Sequence, residues 1–182
     1  MKKTNPINKH PQELEGKEFY SEKKYSLAAD AFSLAAQGYS NQGELSQAAE
    51  MRNNQCVSLL MAKMPKKALE VVSGTAEFFA EAGQSLNQAM AIANEATALK
   101  DLGENQQAIE KFLLAASIFN EMNEPELHLQ TQQSISALKL KTRNIPGAIF
   151  SMRDGLEGLD KLSVRQKILL RLLRIPQNML EK

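Results

Sequence analysis

The stretch LKDLGENQQAIEKFLLAASIF, Leu99–Phe119, decides the fold because it sets small and large residues at fixed intervals. Ala108 is followed four residues later by Phe112 and eight residues later by Ala116. Gly103 stands between two amphipathic segments, where a left-handed helix C-cap favours glycine. A single amphipathic helix does not need small residues at such set places. The stretch therefore indicates two helices that approach each other closely.

The same pattern appears four times along the chain, at a period of 40 residues. The alanine column comprises Ala28, Ala68, Ala108 and Ala148, and the large residues four positions later are Phe32, Val72, Phe112 and Met152. A second column of small residues, twelve positions before the alanines, comprises Gly16, Cys56, Ala96 and Ser136. Stacked helical repeats have such a period, whereas a bundle of amphipathic helices without repeat geometry does not require one.

Each unit is predicted to be two antiparallel helices, A and B, joined by a turn at Lys23, Lys63, Gly103 or Arg143. Small residues let the two helix axes approach, and the large residues fill the space between successive pairs. One pair cannot bury its own apolar stripe, so the pairs are expected to stack into a solenoid.

Composition agrees with an all-α fold. Alanine, leucine, glutamine, glutamate and lysine dominate and tryptophan is absent, which is typical of helical proteins. The net charge of +1 gives no electrostatic reason to expect a nucleic-acid partner. A single cysteine, the lack of an apolar segment behind the N-terminal lysines, and the lack of any bilayer-length apolar run predict a cytoplasmic protein.

These columns resemble the tetratricopeptide repeat (TPR) family, most clearly in GKEFYSEKKYSLAADAF (Gly16–Phe32) and in the stretch quoted first. The usual repeat of that family has about 34 residues, so a longer period resembles its long-repeat branch. The resemblance implies a right-handed α-solenoid of four TPR-like helix pairs followed by a C-terminal capping helix. It also points to peptide binding, because members of that branch commonly use groove asparagines on peptide backbones.

The predicted layout is a tail over residues 1–10, a solenoid over 11–176 and a second tail over 177–182. The repeats are expected at 11–42, 45–82, 85–122 and 125–161, with the cap at 163–175. The A helices are predicted at 12–22, 45–63, 85–102 and 125–142, and the B helices at 25–41, 66–82, 105–121 and 146–160.

No constellation of residues supports an enzyme, a metal site or a bound cofactor. His10 and His128 have no cysteine or second histidine at helical spacing, so both are interpreted as surface residues. Cys56 occupies a small-residue column and is predicted to be buried. Gly155 and Gly158 lack the preceding strand that a phosphate loop needs.

The concave surface of a helix-pair solenoid is lined by its A helices, and this groove is the predicted binding site. The candidate groove residues are Lys17, Tyr20, Asn53, Asn54, Val57, Asn94, Thr97, Lys100, Gln130, Gln133 and Lys141. Asn54 and Asn94 stand one repeat apart in one column, and amide side chains both donate to and accept from a peptide backbone. The TPR-like clamp for a C-terminal carboxylate is not expected, because only Asn54 matches its pattern.

The last helix lies within KLSVRQKILLRLLRIP, and its apolar residues cover a wider arc than the roughly 100° stripe of an ordinary surface helix. Leu169, Leu170, Leu172 and Leu173 are the candidate oligomer interface, and a two-fold homodimer is expected in preference to membrane contact. A plain cap with an apolar face is the remaining alternative.

The sequence thus predicts a non-enzymatic scaffold that binds a protein or peptide segment in its groove. The alternative is an oligomerisation or regulatory module that acts through the C-terminal helix, by self-association or at a membrane.

Overall fold

The computed structural model describes residues 10–174, and these residues form ten α-helices without a β-strand. The helices are α1 (Pro11–Ser21), α2 (Tyr25–Asn41), α3 (Leu45–Met61), α4 (Pro65–Val72), α5 (Thr75–Glu81), α6 (Ser85–Leu102), α7 (Asn105–Glu121), α8 (Pro125–Lys141), α9 (Ile145–Glu157) and α10 (Val164–Leu173). Consecutive helices pack on each other except for α4 and α5, which both pack against α3 and α6, and α3 also contacts α6. The chain therefore folds as an α-helical solenoid, as predicted.

The turns between helices repeat one geometry every 20 residues. Their central residues have positive φ angles, and they are Lys23, Gly43, Lys63, Gly83, Gly103, Asn123 and Arg143. In each turn the next N–H donates to a carbonyl oxygen five residues earlier, as from Lys24 to Phe19 at 2.8 Å and from Glu104 to Leu99 at 3.0 Å. This is the Schellman bond that closes a helix C-terminus. The chain uses it even where lysine or arginine replaces the favoured glycine.

The two small-residue columns lie at helix contacts, which confirms their predicted role. Ala28, Ala68 and Ala108 have no exposed surface. A Cβ atom on Gly16 would lie 2.8 Å from Cε1 of Phe32, so only glycine lets that ring pack directly on α1.

The second B helix is not continuous, contrary to the prediction of one helix over 66–82. It divides into α4 and α5 at Ser73 and Gly74, where Gly74 has a φ of 79°. The Thr75 hydroxyl donates to the carbonyl oxygen of Val72 at 2.7 Å and closes the break. Ala68 and Phe79 remain fully buried on either side. The break therefore bends the helix without disturbing the period.

Other boundaries differ by a few residues. Helix α9 ends at Glu157 instead of residue 160, and α3 ends at Met61 instead of residue 63, because Ala62 and Lys63 form the turn. Both predicted tails, apart from His10, lie outside the described residues, as do residue 175 of the predicted cap and residue 176.

Within residues 10–174, no helix is long and apolar enough to cross a membrane. That part of the chain also holds no group of three or more His, Cys, Asp and Glu residues suited to a metal ion.

Candidate functional site

A cavity of about 260 Å³ opens between α1 and α3, and Phe32 of α2 contributes to its wall. Its other lining residues are Lys17, Tyr20, Asn54 and Val57, four of the predicted groove residues. They come from the first two A helices, about 40 residues apart in the chain. The structure thus brings these four side chains together in one concavity.

The α1 side of the cavity is fixed by a buried polar cluster. Lys17 forms an ion pair with Glu13, one helical turn earlier, and Glu13 is only 6% exposed. The Tyr39 hydroxyl of α2 donates to Glu13 at 2.6 Å and accepts from the His10 backbone N–H at 3.0 Å. Burial, and then the bond to Glu13, raise the pKa of Tyr39. This cluster ties α1 to α2 and positions the Lys17 ammonium at the cavity.

The α3 side of the cavity carries Asn54 and Val57, both half-buried. Asn94 occupies the same column on α6 and is also half-buried. The side chains of Asn54 and Asn94 make no hydrogen bond to any residue in the described range 10–174. Their amides are therefore available to a ligand.

The remaining candidate groove residues are more dispersed. Thr97 donates to the carbonyl oxygen of Ala93 in its own helix at 2.8 Å, and Lys100 pairs with Asp101 at 3.6 Å. Gln130 and Gln133 are exposed on α8. Lys141, on the same helix, donates to the side-chain oxygen of Asn105 at 3.3 Å. None of these residues lines the cavity.

Asn53 is the exception among the candidates. Its side chain is only 8% exposed, and its Oδ1 lies 3.4 Å from the Thr75 hydroxyl oxygen of α5, whose proton is directed at Val72. It therefore packs α3 against the helix that follows the Ser73–Gly74 break. The prediction that Asn53 faces the groove is therefore wrong.

The interpretation of the two histidines as surface residues is wrong for His128, which is buried, whereas His10 is half-buried. His10 precedes α1 and packs on Tyr39, with its ring so close to Gly38 that a Cβ there would lie 2.1 Å from Nε2. His128 is 6% exposed. Its Nδ1 lies 3.0 Å from the carbonyl oxygen of Ala116, and its Nε2 lies 3.0 Å from Oδ2 of Asp154. It joins α7, α8 and α9 by contacts that no local sequence spacing reveals.

Cys56 is fully buried, as predicted. Burial is the main cause that raises the pKa of its thiol to about 12, with a smaller contribution from Glu95. A neutral thiol in this position is a small packing residue and not a nucleophile.

The C-terminal helix divides the four leucines of the candidate oligomer interface. Leu170 is 7% exposed and packs with Leu129 and Leu156, so it belongs to the core and not to an interface. Leu173 is half-buried against the same cluster. Only Leu169 and Leu172 stay exposed, because α9 covers the other side of α10.

A sequence model of the family described as soluble NSF attachment protein, SNAP, matches residues 14–153. The chain belongs to the SNAP family. This is a family of non-enzymatic adaptors with a TPR-like solenoid, so the helical repeat and the adaptor class are confirmed, although the TPR family itself is not. The match includes all five cavity residues and ends before α10. No curated protein matches the chain significantly.

Proposed function

We propose that this SNAP-family protein is an adaptor that binds an extended protein segment along its A helices, anchored in the α1–α3 cavity. The observation that carries the proposal is that Lys17, Tyr20, Asn54 and Val57 line one cavity. The family match supports the adaptor class, and the cavity lies within the matched residues.

The cavity suits an apolar side chain beside a polar backbone. Tyr20, Phe32 and Val57 supply apolar walls, and full burial of a leucine or phenylalanine from the bound segment contributes about 1.5–3 kcal/mol. Asn54 and Lys17 stand beside these walls, where an amide binds backbone groups and an ammonium binds a carbonyl or carboxylate. Asn94 then holds the segment one repeat further on.

The partner itself is proposed to be a protein, and the family description makes NSF the first one to test. Binding of purified NSF to the full chain can be measured with the parent and with Tyr20→Ala. A loss of affinity in this variant supports NSF as the groove partner. Equal affinity places NSF on another surface.

The groove is tested independently of any named partner. Peptides selected on the full chain from a displayed random library are titrated against Asn54→Ala/Asn94→Ala, with Gln37→Ala/Gln107→Ala as a matched control at exposed amides on the B helices. We expect about a tenfold loss for the first variant, since each lost hydrogen bond contributes about 0.5–1.5 kcal/mol, and no change for the control. Unchanged affinity in both variants would reject the groove as the binding site.

The same proposal includes a cytoplasmic location and a single repeat domain over residues 11–176. The buried free thiol of Cys56 is consistent with a reducing compartment.

A further inference from the structure

Helix α10 has an exposed apolar stripe on the side that faces away from α9. Val164, Ile168 and Leu172 are 74%, 57% and 57% exposed and follow one another at intervals of four residues. Residues four apart lie on the same face of a helix. Leu169, at 38% exposure, widens the stripe on one side. Leu170 and Leu173 pack against the core instead.

Cationic side chains lie beside and within this stripe. At about 3.6 residues per turn, Lys167 and Arg171 border it on the Val164 side, and Arg165 lies between Leu172 and Leu169. All three are exposed, and none forms an ion pair with a residue in the described range 10–174. The sequence of α10, VRQKILLRLL, contains no acidic residue. An exposed apolar stripe accompanied by cations and no acidic residue is typical of a helix that lies in a membrane interface.

The helix is formed before any partner arrives. Ser163 and Gln166 make a reciprocal capping box, with distances of 2.8 Å and 3.3 Å between the paired atoms. At the other end of α10, Arg174 forms an ion pair of 2.7 Å with Glu157. Docking therefore needs no ordering of α10, which would otherwise oppose binding.

We propose that α10 docks this solenoid on an anionic membrane surface, with Val164, Ile168 and Leu172 in the interface and the cations on the lipid headgroups. This role goes beyond the groove function and does not depend on it. The matched family segment ends before α10.

Charge and area favour a lipid surface over the homodimer expected from the sequence. Two copies meeting through α10 would bring together two sets of unpaired cations, which repel each other. A stable dimer buries about 800 Å² on each partner, whereas α10 is only ten residues long and one of its sides packs against the core. Anionic lipid complements both the apolar stripe and its charges.

The test is co-sedimentation of the full chain with vesicles of phosphatidylcholine containing about a third phosphatidylserine. We expect binding to these vesicles, none to pure phosphatidylcholine, and release at about 0.5 M NaCl. Ile168→Ser/Leu172→Ser should weaken binding about tenfold or more. The matched control is Leu113→Ser/Leu114→Ser on α7, which carries two similarly exposed leucines and should bind like the parent.

The contribution of the α10 cations to membrane binding is tested with a second variant and its matched control. Arg165→Gln/Lys167→Gln/Arg171→Gln should lower the partition coefficient about 100-fold. Arg52→Gln/Lys66→Gln/Lys67→Gln removes three exposed cations elsewhere and should change it much less.

Three results would overturn the proposal. The first is no binding to the anionic vesicles. The second is equal loss in the α10 variants and their controls, because that would show adsorption by general charge. The third is a lipid-free dimer in sedimentation velocity that Ile168→Ser/Leu172→Ser dissociates, because a second copy would then occupy the stripe.

Discussion

The regular part of the solenoid, α1–α8, and its C-terminal end, α9 and α10, are built differently. Through residue 143 the chain turns every 20 residues with one positive φ angle in each turn. At the next such position, Ser163 has a φ of −65° and caps α10 instead. Helix α9 has 13 residues, whereas α8 has 17. The regular series of turns thus ends at Arg143.

The cores of the two regions differ in the same way. Phe112 belongs to a cluster of eight buried residues from α6, α7 and α8, and the other seven are alanine, isoleucine or leucine. Leu170 shares a cluster with two other buried residues, Leu129 and Leu156. A regular repeat buries each apolar stripe between two neighbours, whereas among residues 10–174 α10 packs mainly on α9. The difference explains why an apolar stripe remains exposed on α10.

The largest expected difference is between the two cores. Phe112→Ala should lower the free energy of unfolding by about 3–5 kcal/mol, because it leaves a cavity between three helices. Leu170→Ala should cost about 2 kcal/mol, because its smaller cluster at the chain end relaxes more easily. Urea denaturation followed by circular dichroism measures both. Equal losses would show that the end is as tightly built as the repeats.

The next effect concerns close helix contacts in the regular part. Ala108→Leu should destabilise the protein by about 1–3 kcal/mol, because the alanine has no exposed surface and the longer side chain overfills the contact. Ala137→Leu, at an exposed position on α8, is the control and should stay within about 0.5 kcal/mol of the parent. If Ala108→Leu melts like the parent in urea, the close stacking of these helices is wrong.

The smallest effect concerns the turns that define the regular part. Lys63 has a φ of 62°, a conformation that costs an L-residue about 1–2 kcal/mol. Glycine removes this cost but loses about 0.5–1 kcal/mol in chain entropy, so Lys63→Gly should stabilise the protein by about 0.5–1 kcal/mol. Lys67→Gly, inside α4, should instead destabilise by about 1 kcal/mol. Thermal denaturation would contradict the turn geometry if both variants shifted the melting temperature downward.

Much of the fold follows from the sequence because the repeat fixes it. Columns such as Ala28, Ala68 and Ala108 specify close contacts at a constant period, and the structure buries all of them. The break between α4 and α5 interrupts no column. The column pattern therefore does not predict this break, although Ser73-Gly74 before Thr75 is a turn signal in its own right.

The candidate site was predictable only in part. The choice of the A-helix face that points away from the B helices selects Lys17, Tyr20, Asn54 and Val57, and they meet in the cavity. The contacts of His128 with Ala116 and Asp154 depend on which helices become neighbours. The burial of Asn53 depends on the bend in the second B helix, which placed Thr75 against it. Such contacts are set by tertiary packing and not by local spacing.

The central claim is that the cavity on the α1–α3 side binds the partner segment. Isothermal titration of one selected peptide against Val57→Arg and Leu114→Arg tests it most directly. Both variants place an arginine on the solenoid, but only Val57 lines the cavity, whereas Leu114 is 50% exposed on α7. We expect a loss of affinity of about tenfold or more, equivalent to about 1.4 kcal/mol, for Val57→Arg and none for Leu114→Arg, with both variants folded by circular dichroism. Equal affinity of the two variants would contradict it.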